Sequence, residues 1–524
     1  MSTQALSLVS LLNEMAGVPC LAFSVHRGFR SFGLDLSRFL FFARMDNLRY
    51  IEFPPEDMTP EDASSALNEL IEKFKWRSHI KIVLSPSDSE NLVKRLRMLT
   101  DVVVILQSDL QRLTAGTNVT QPLRELLREQ LDVKNLAAYQ YQGAVTGNKF
   151  FGREAQLNTL IQHPGTSYLV TGTRMSGKTS LLQEAKRRIE ESNAGSSDLH
   201  PIALYIDCKR YTTAAGFISA VLADLEERSS FSNYERWDSP HRWHSFFRYL
   251  RTYVRKLPNK HLYLFLDEYD QILQIEKEQA GITWNFRSLK DTNSPQKGVI
   301  QFVLAGSKGL AKQAANRDSG LYNFVDPEGC KLDNFDVRTI KQILQSPMED
   351  LGFRIDDLAL IAQDVLTETA GRPSSVQFIC YNLVRSLVAT KKSVITDADV
   401  KKIVRGPEYL QYYKRTVHEN TDIVQKFVLC AQSQDNETRA SFSQEETMQK
   451  LRSFHVYLEE SDLIESLDDL VNSGFLVFDE RAGAEVRFVL STPVIKRIFR
   501  GISLESYIGP MVQKGLAIRL ENGL

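Results

Sequence analysis

From residue 1 to about 120, short apolar runs alternate with segments of helical period. The runs at 18–25, 50–53, 80–84 and 102–106 have strand length. Residues 6–15, 36–43 and 90–99 between them read as helices. Thr59-Pro60-Glu61-Asp62 is a helix start with proline in the first turn, and Ala66, Leu67, Leu70, Ile71 and Phe74 follow on one face. This alternation predicts a small parallel α/β unit with helices on its faces. The loop 85–90 follows a strand end, where open sheets place ligands. Its acids, Asp88 and Glu90, are explained by capping of the next helix, and no catalytic constellation is visible in this part.

Residues 114–148 are rich in Thr, Gln, Gly and Asn, with a polar helix at 122–129, and read as a connection. Strands are then expected at 167–171, 201–207, 262–266, 299–305 and 330–332, with helices between. Asp207 at the end of the second is expected to cap a turn. The segment 237–257 is amphipathic, and its Arg248, Arg251, Arg255 and Lys256 are expected on a solvated face. Helices at 419–432, 443–451 and 461–472 precede two short strands, 475–478 and 486–490. Three helices and a hairpin in that order read as a winged helix.

Composition narrows the class. The 524 residues are 43% hydrophobic and 25% charged, which suits a soluble protein of three or four domains. A formal net charge of −1 supplies no global field toward nucleic acid or acidic membrane. Cys20, Cys208, Cys330, Cys380 and Cys430 are scattered without metal-ligand spacing and are expected as reduced thiols. The start lacks the basic and apolar regions of a signal peptide, and no run reaches the ~20 residues of a membrane span. A cytoplasmic protein is expected.

Two stretches carry chemistry. After the apolar run at 167–171, Gly172, Thr173, Arg174, Met175, Ser176, Gly177, Lys178, Thr179 and Ser180 fit G-x-x-x-x-G-K-[ST], and the helix continues through Leu181, Leu182 and Ala185. Glycines let the backbone wrap a phosphate, and successive amides point inward at a helix N-terminus. Lys178 places a charge between the β- and γ-phosphates, and the Thr179 hydroxyl is a ligand for Mg²⁺. The second stretch lies 89 residues after Lys178, where an apolar strand ends in Asp267-Glu268. Asp267 is positioned for the Mg²⁺ shell, and Glu268 for orienting or deprotonating an attacking water.

Phe150-Phe151-Gly152-Arg153-Glu154, just before the strand that leads into the phosphate loop, resembles the lead-in of AAA+ and related STAND-type ATPases. The resemblance covers about 149–405 and implies that Phe151 and Gly152 lie near the adenine. It implies that Ser307, at a strand end, distinguishes ATP from ADP, and that Arg317 reaches a neighbouring subunit's site. The segment Gly371-Arg372-Pro373 resembles the helical-lid start of STAND and origin-recognition-type ATPases, with Arg372 sensing the γ-phosphate and Pro373 in the first turn. Arg174 and Met175 depart from the commonest AAA+ loop and lean toward the STAND side.

The expected architecture is α/β: a small N-terminal α/β domain (1–120), a linker (121–148), a P-loop NTPase parallel-sheet core (149–335), a helical lid (336–405), a winged helix (406–500) and a tail (501–524). The expected function is an ATP- and Mg²⁺-dependent hydrolase acting as a switch, with self-association through the core and a partner protein as sensor or effector. The alternative is a DNA-acting AAA+ loader or regulator. Asp462, Glu465, Asp468 and Asp469 on the third C-terminal helix, with Glu459 and Glu460 before them, disfavour it, although Arg481 and Arg487 on the hairpin and Lys496, Arg497 and Arg500 beyond it offer positive charge.

Overall fold

The computed structural model describes most of residues 28–519 and a few residues before them; within that range the longest stretches outside the description are 192–200, 229–242 and 435–440. The N-terminal sheet has five strands in sequential order: β1 (Ser24–His26), β2 (Phe29–Leu34), β3 (Leu48–Glu52), β4 (Ile80–Leu84) and β5 (Val102–Ile105). It is mixed, not wholly parallel. β1, β2 and β3 form an antiparallel meander, and only β3, β4 and β5 run parallel. Gly28, at φ 82°, closes the first hairpin in a left-handed conformation that glycine adopts without steric cost. β2 went unread because Arg30, Ser31 and Gly33 interrupt its apolar positions. Among the described residues of 36–43 there is no helix; the chain turns back, and the Leu36 amide donates to Met45 O at 2.7 Å.

Helices α1 (Pro60–Lys73) and α2 (Glu90–Arg97) make the two parallel crossovers and bury Leu67, Leu70, Leu92 and Leu96 on one face of this sheet. Thr59 caps α1 by accepting the Asp62 amide at 3.1 Å. Asp88 lies outside the described residues, and Glu90 opens α2. The opposite face packs on α3 (Thr120–Gln130), whose Leu123, Leu126 and Leu127 are buried at helical spacing. The expected linker is therefore packed against the sheet. Its Gln130 side chain bonds both the amide and the carbonyl of Val104 at 2.8 Å, satisfying the outer edge of β5.

The second sheet is wholly parallel: β6 (Tyr168–Gly172), β7 (Ile202–Asp207), β8 (His261–Asp267), β9 (Val299–Ala305) and β10 (Asp326–Leu332), in the order β10-β6-β9-β8-β7. Both faces are covered, so β6, β8 and β9 are apolar nearly throughout, while the edge strand β10 buries only Cys330 and Leu332. On one side lie α4 (Glu154–Gln162) and α5 (Lys178–Glu191); on the other lies α6 (Trp243–Lys256). Arg251 of α6 is not on a solvated face. It is buried, donating to Gly298 O at 3.1 Å and to Leu289 O, because the return into β9 runs across the helix.

After α7 (Lys308–Ala315) and β10, the chain becomes helical: α8 (Val337–Asp350), α9 (Leu358–Thr369), α10 (Pro373–Thr390), α11 (Asp397–Arg405) and α12 (Pro407–Asn420). Helices α13 (Ile423–Ser433), α14 (Gln444–Arg452) and α15 (Glu460–Asn472) follow, then the antiparallel pair β11 (Leu476–Phe478) and β12 (Phe488–Leu490), then α16 (Pro493–Phe499). One continuous apolar cluster runs from the inner face of the N-terminal sheet through α8–α12 into these last helices. At its N-terminal end Asp350, almost fully buried at the end of α8, accepts the Phe41 amide at 2.8 Å and pairs with Arg124 at 2.9 Å. Among the described residues no helix is long and apolar enough to cross a membrane.

Candidate nucleotide site

The phosphate loop joins β6 to α5. Gly172 has no room for a side chain: a Cβ there would come within 2.6 Å of Ser176 Oγ and 3.0 Å of Leu332. Gly177 takes φ 99° as the chain turns into the helix, and Met175, a non-glycine residue, is held at φ 64°. The Lys178 ammonium lies over the loop, donating to Gly172 O at 3.0 Å and Thr173 O at 3.1 Å. Burial lowers its pKa; the nearby carboxylates of Glu268, Asp267 and Asp270 work the other way. Thr173 Oγ1 and Ser176 Oγ are buried without a protein partner. A cradle with two unsatisfied hydroxyls and a cation parked on weak acceptors fits a phosphate chain.

β8 delivers the acids. Asp267 is 3% exposed. Its Oδ2 accepts from Thr179 Oγ1 at 2.6 Å and from Tyr205 OH at 2.9 Å, and its Oδ1 accepts the Glu268 amide at 3.0 Å. A carboxylate and a hydroxyl in mutual contact at the start of a phosphate-binding helix are the oxygen donors that Mg²⁺ takes. Glu268 is exposed and stands at φ 52°, a left-handed conformation unusual for glutamate. The next residue imposes it: Tyr269 is fully buried and its amide donates to Ala305 O at 2.8 Å, which turns the chain sharply and leaves Glu268 outside.

A cleft of about 330 Å³ lies over the loop. Residues 174–180 and Glu268 form its floor, and Phe335, Pro373, Ser374 and Gln377 its lid side. Phe151 lines it, stacked on Phe41 of the N-terminal unit with ring centroids 6.1 Å apart. The sequence did not single out Tyr141, the 143–145 stretch or Arg153, which also line it. Residues 140–149 read as linker because they are polar and glycine-containing, yet α5 pins them: Ser180 Oγ accepts the Val145 amide at 3.0 Å, and Glu184, one turn on, accepts the Gly147 amide at 2.7 Å. Arg153 is buried over the Phe335 ring at 4.9 Å, and burial lowers its pKa to about 10.

Gly152, Ser307, Arg317 and Arg372 stand away from the cleft lining. Gly152, at φ 67°, packs so closely on Thr339 of α8 that a Cβ would collide with it, so it joins core to lid. Ser307 caps α7, and its amide and hydroxyl donate to Asp270 at 2.7 and 2.5 Å. Arg317 is exposed between α7 and β10. Arg372 is 1% exposed and turned toward the C-terminal helices, donating to Ser473 O at 2.6 Å over the Phe475 ring at 4.6 Å. Gly371, at φ 70° and packed hard on the Phe335 carbonyl, fixes the backbone that aims it there. Asp207 caps the following turn as expected, accepting the Lys209 amide at 3.2 Å.

Residues 161–314 match the AAA domain family. The chain carries a P-loop AAA+ ATPase core. The cradle over the loop and the Thr179–Asp267 pair fit ATP with Mg²⁺. Among solved structures, the chain is similar to the ORC2 protein of Aeropyrum pernix in its ADPNP–ADP complexes, at 13% identity, covering 71% of this chain and 98% of that one with a TM-score of 0.50. A Walker-type ATPase of Pyrococcus abyssi matches at 15% identity over 69% of this chain and 99% of that one, with a TM-score of 0.49. No curated protein sequence matches the chain.

Proposed function

We propose that the protein is an ATP-driven switch whose nucleotide state sets how the AAA+ core, the lid and the C-terminal helices sit on one another. In this reading residues 172–180 and Lys178 hold the phosphates, Thr179 and Asp267 hold the metal, and Phe151 and Pro373 border the base. Bound Mg²⁺ supplies charge neutralisation to the β- and γ-oxygens. Glu268, held outside the strand end by its backbone, orients the attacking water and accepts its proton on the carboxylate. Ser307 acts through Asp270, which fixes both its amide and its hydroxyl.

The observation that carries the switch is that the C-terminal region holds two arginines, one on the phosphate loop that floors the cleft and one just before the lid-side residue Pro373. Arg174, on the phosphate loop, pairs with Glu419 at the end of α12 at 3.6 Å. Arg372, at the lid-helix start, is held by Ser473 and Phe475 beyond α15. Nucleotide that draws either arginine inward must break a tie to the C-terminal helices. Mass by light scattering, with scattering-derived dimensions, tests this in ADP and in a non-hydrolysable ATP analogue. Different shape or assembly in the two supports the switch; identical behaviour defeats it.

The rival reading, a DNA-acting ATPase, places duplex against the three helices and hairpin taken as a winged helix. Here Arg487 pairs with Glu446 at 2.9 Å and Glu485 at 3.2 Å, and Arg497 with Glu368. Arg481 lies outside the described residues. With α15 acidic, this surface favours a protein partner over phosphates. Tight, salt-dependent duplex binding lost in R487A would favour the rival.

A further inference from the structure

Tyr205 is a residue that the sequence reading passed over, and the structure places it at the metal carboxylate. It lies on β7, and the parallel register sets Tyr205 beside Phe265 and Asp207 beside Asp267. Alternation along adjacent strands therefore brings Tyr205 and Asp267 to one face of the sheet. The phenol donates to Asp267 Oδ2 at 2.9 Å, the same oxygen that accepts from Thr179 at 2.6 Å. Gln183 of α5, one helical turn beyond Thr179, lies beside the phenol. The phenol is protonated at neutral pH and serves as the donor.

We infer that Tyr205 is a positioning residue for metal binding. It fixes the rotamer of Asp267 so that the carboxylate meets the ion in place, and Gln183 ties that setting to the helix that starts at the phosphate loop. The inference rests on the reading of Asp267 as a metal-holding group. Thr179 is the partner that must turn from Asp267 toward the metal when Mg²⁺ and nucleotide bind. Tyr205 has no such competing duty, so its hydrogen bond persists and keeps the carboxylate aimed. Outer partners of this kind commonly change metal affinity by an order of magnitude or more.

The test is a Mg²⁺ titration of fluorescent ATP-analogue binding by the full chain, repeated in EDTA. In Y205F the half-saturating Mg²⁺ concentration rises about tenfold, while binding in EDTA is unchanged, and excess Mg²⁺ restores the wild-type signal. Q183A shifts the titration in the same direction by less. D267N serves as the reference. A shift in D267N with none in Y205F overturns the role of Tyr205 and leaves Asp267 as assigned. Unmoved titrations in both overturn the metal assignment and the inference with it. Loss of EDTA binding in Y205F shows a damaged phosphate loop and also overturns it.

Discussion

The two five-stranded sheets use similar apolar strands and differ in what their strand ends can do. In the N-terminal sheet the strands follow one another in sequence order, and both parallel crossovers pack on one face. No neighbouring pair of connections diverges, so no crevice opens at the strand ends. Glu52, the acid that ends β3, is turned inward, receiving the Tyr50 hydroxyl at 3.2 Å and facing Arg30 at 3.7 Å. In the second sheet β6 lies between β9 and β10, neither of which is its neighbour in sequence. The connections leaving the two sides of β6 separate there, and the phosphate loop fills the gap. Strand order, more than strand composition, decides which sheet carries chemistry.

The sharpest way to break that contrast is to remove charge from each sheet in turn. Lys178→Ala should abolish ATP binding, measured by fluorescent-analogue titration. Glu268→Gln should keep binding and cut turnover by about two to three orders of magnitude. Glu52→Gln, the corresponding change in the N-terminal sheet, should leave both unaltered. ATPase activity at the normal rate in Glu268→Gln would remove the catalytic assignment, and an effect of Glu52→Gln on affinity would show that the sheets are not independent.

A smaller effect is expected at Arg372. Removing a buried guanidinium leaves the Ser473 carbonyl short of a donor and the Phe475 face uncovered. Arg372→Ala should cost about 2–3 kcal/mol of stability in denaturant unfolding. Two of its nitrogens are buried without partners, which limits the loss. ATP affinity should be unchanged if the arginine keeps its present tie. A drop in affinity for ATP but not ADP would instead restore the γ-phosphate role implied by the family resemblance.

These particulars show what was legible in the sequence. The phosphate loop and Asp267-Glu268 are local: a glycine spacing and a strand end place their atoms without reference to the rest of the chain. Tyr205 and the 140–149 segment are non-local. Tyr205 matters only because β7 pairs with β8 in one register, and the polar 140–149 stretch becomes a cleft wall only through Ser180 and Glu184. β2 was hidden for a related reason, since half of its residues face a neighbour that the sequence does not name. Arg372 was recognised as special, but the direction of its side chain is set by Gly371 and Phe475, 104 residues apart.

The two sheets also meet acid differently. Each has a histidine at the N-terminal side of an inner strand: His79 just before β4 and His261 opening β8. Both pKa values are lowered, mainly by burial, and His79 also feels Arg49 and Lys81. His261, stacked on Tyr263 at 4.1 Å, is brought to about 4. A group whose folded pKa lies below its unfolded value near 6.5 stays neutral when the unfolded chain takes up a proton. Its penalty is absent at neutral pH, grows as pH falls below about 6.5, and levels off near 4. Between pH 7 and 5 the loss from His261 should reach up to about 2 kcal/mol. His261→Gln should flatten the stability profile across that window, read as Tm against pH. Hydrogen exchange locates the effect: amides of β8 should lose protection on acidification before those of β4, and the reverse order would make His79 and the N-terminal sheet the acid-sensitive element.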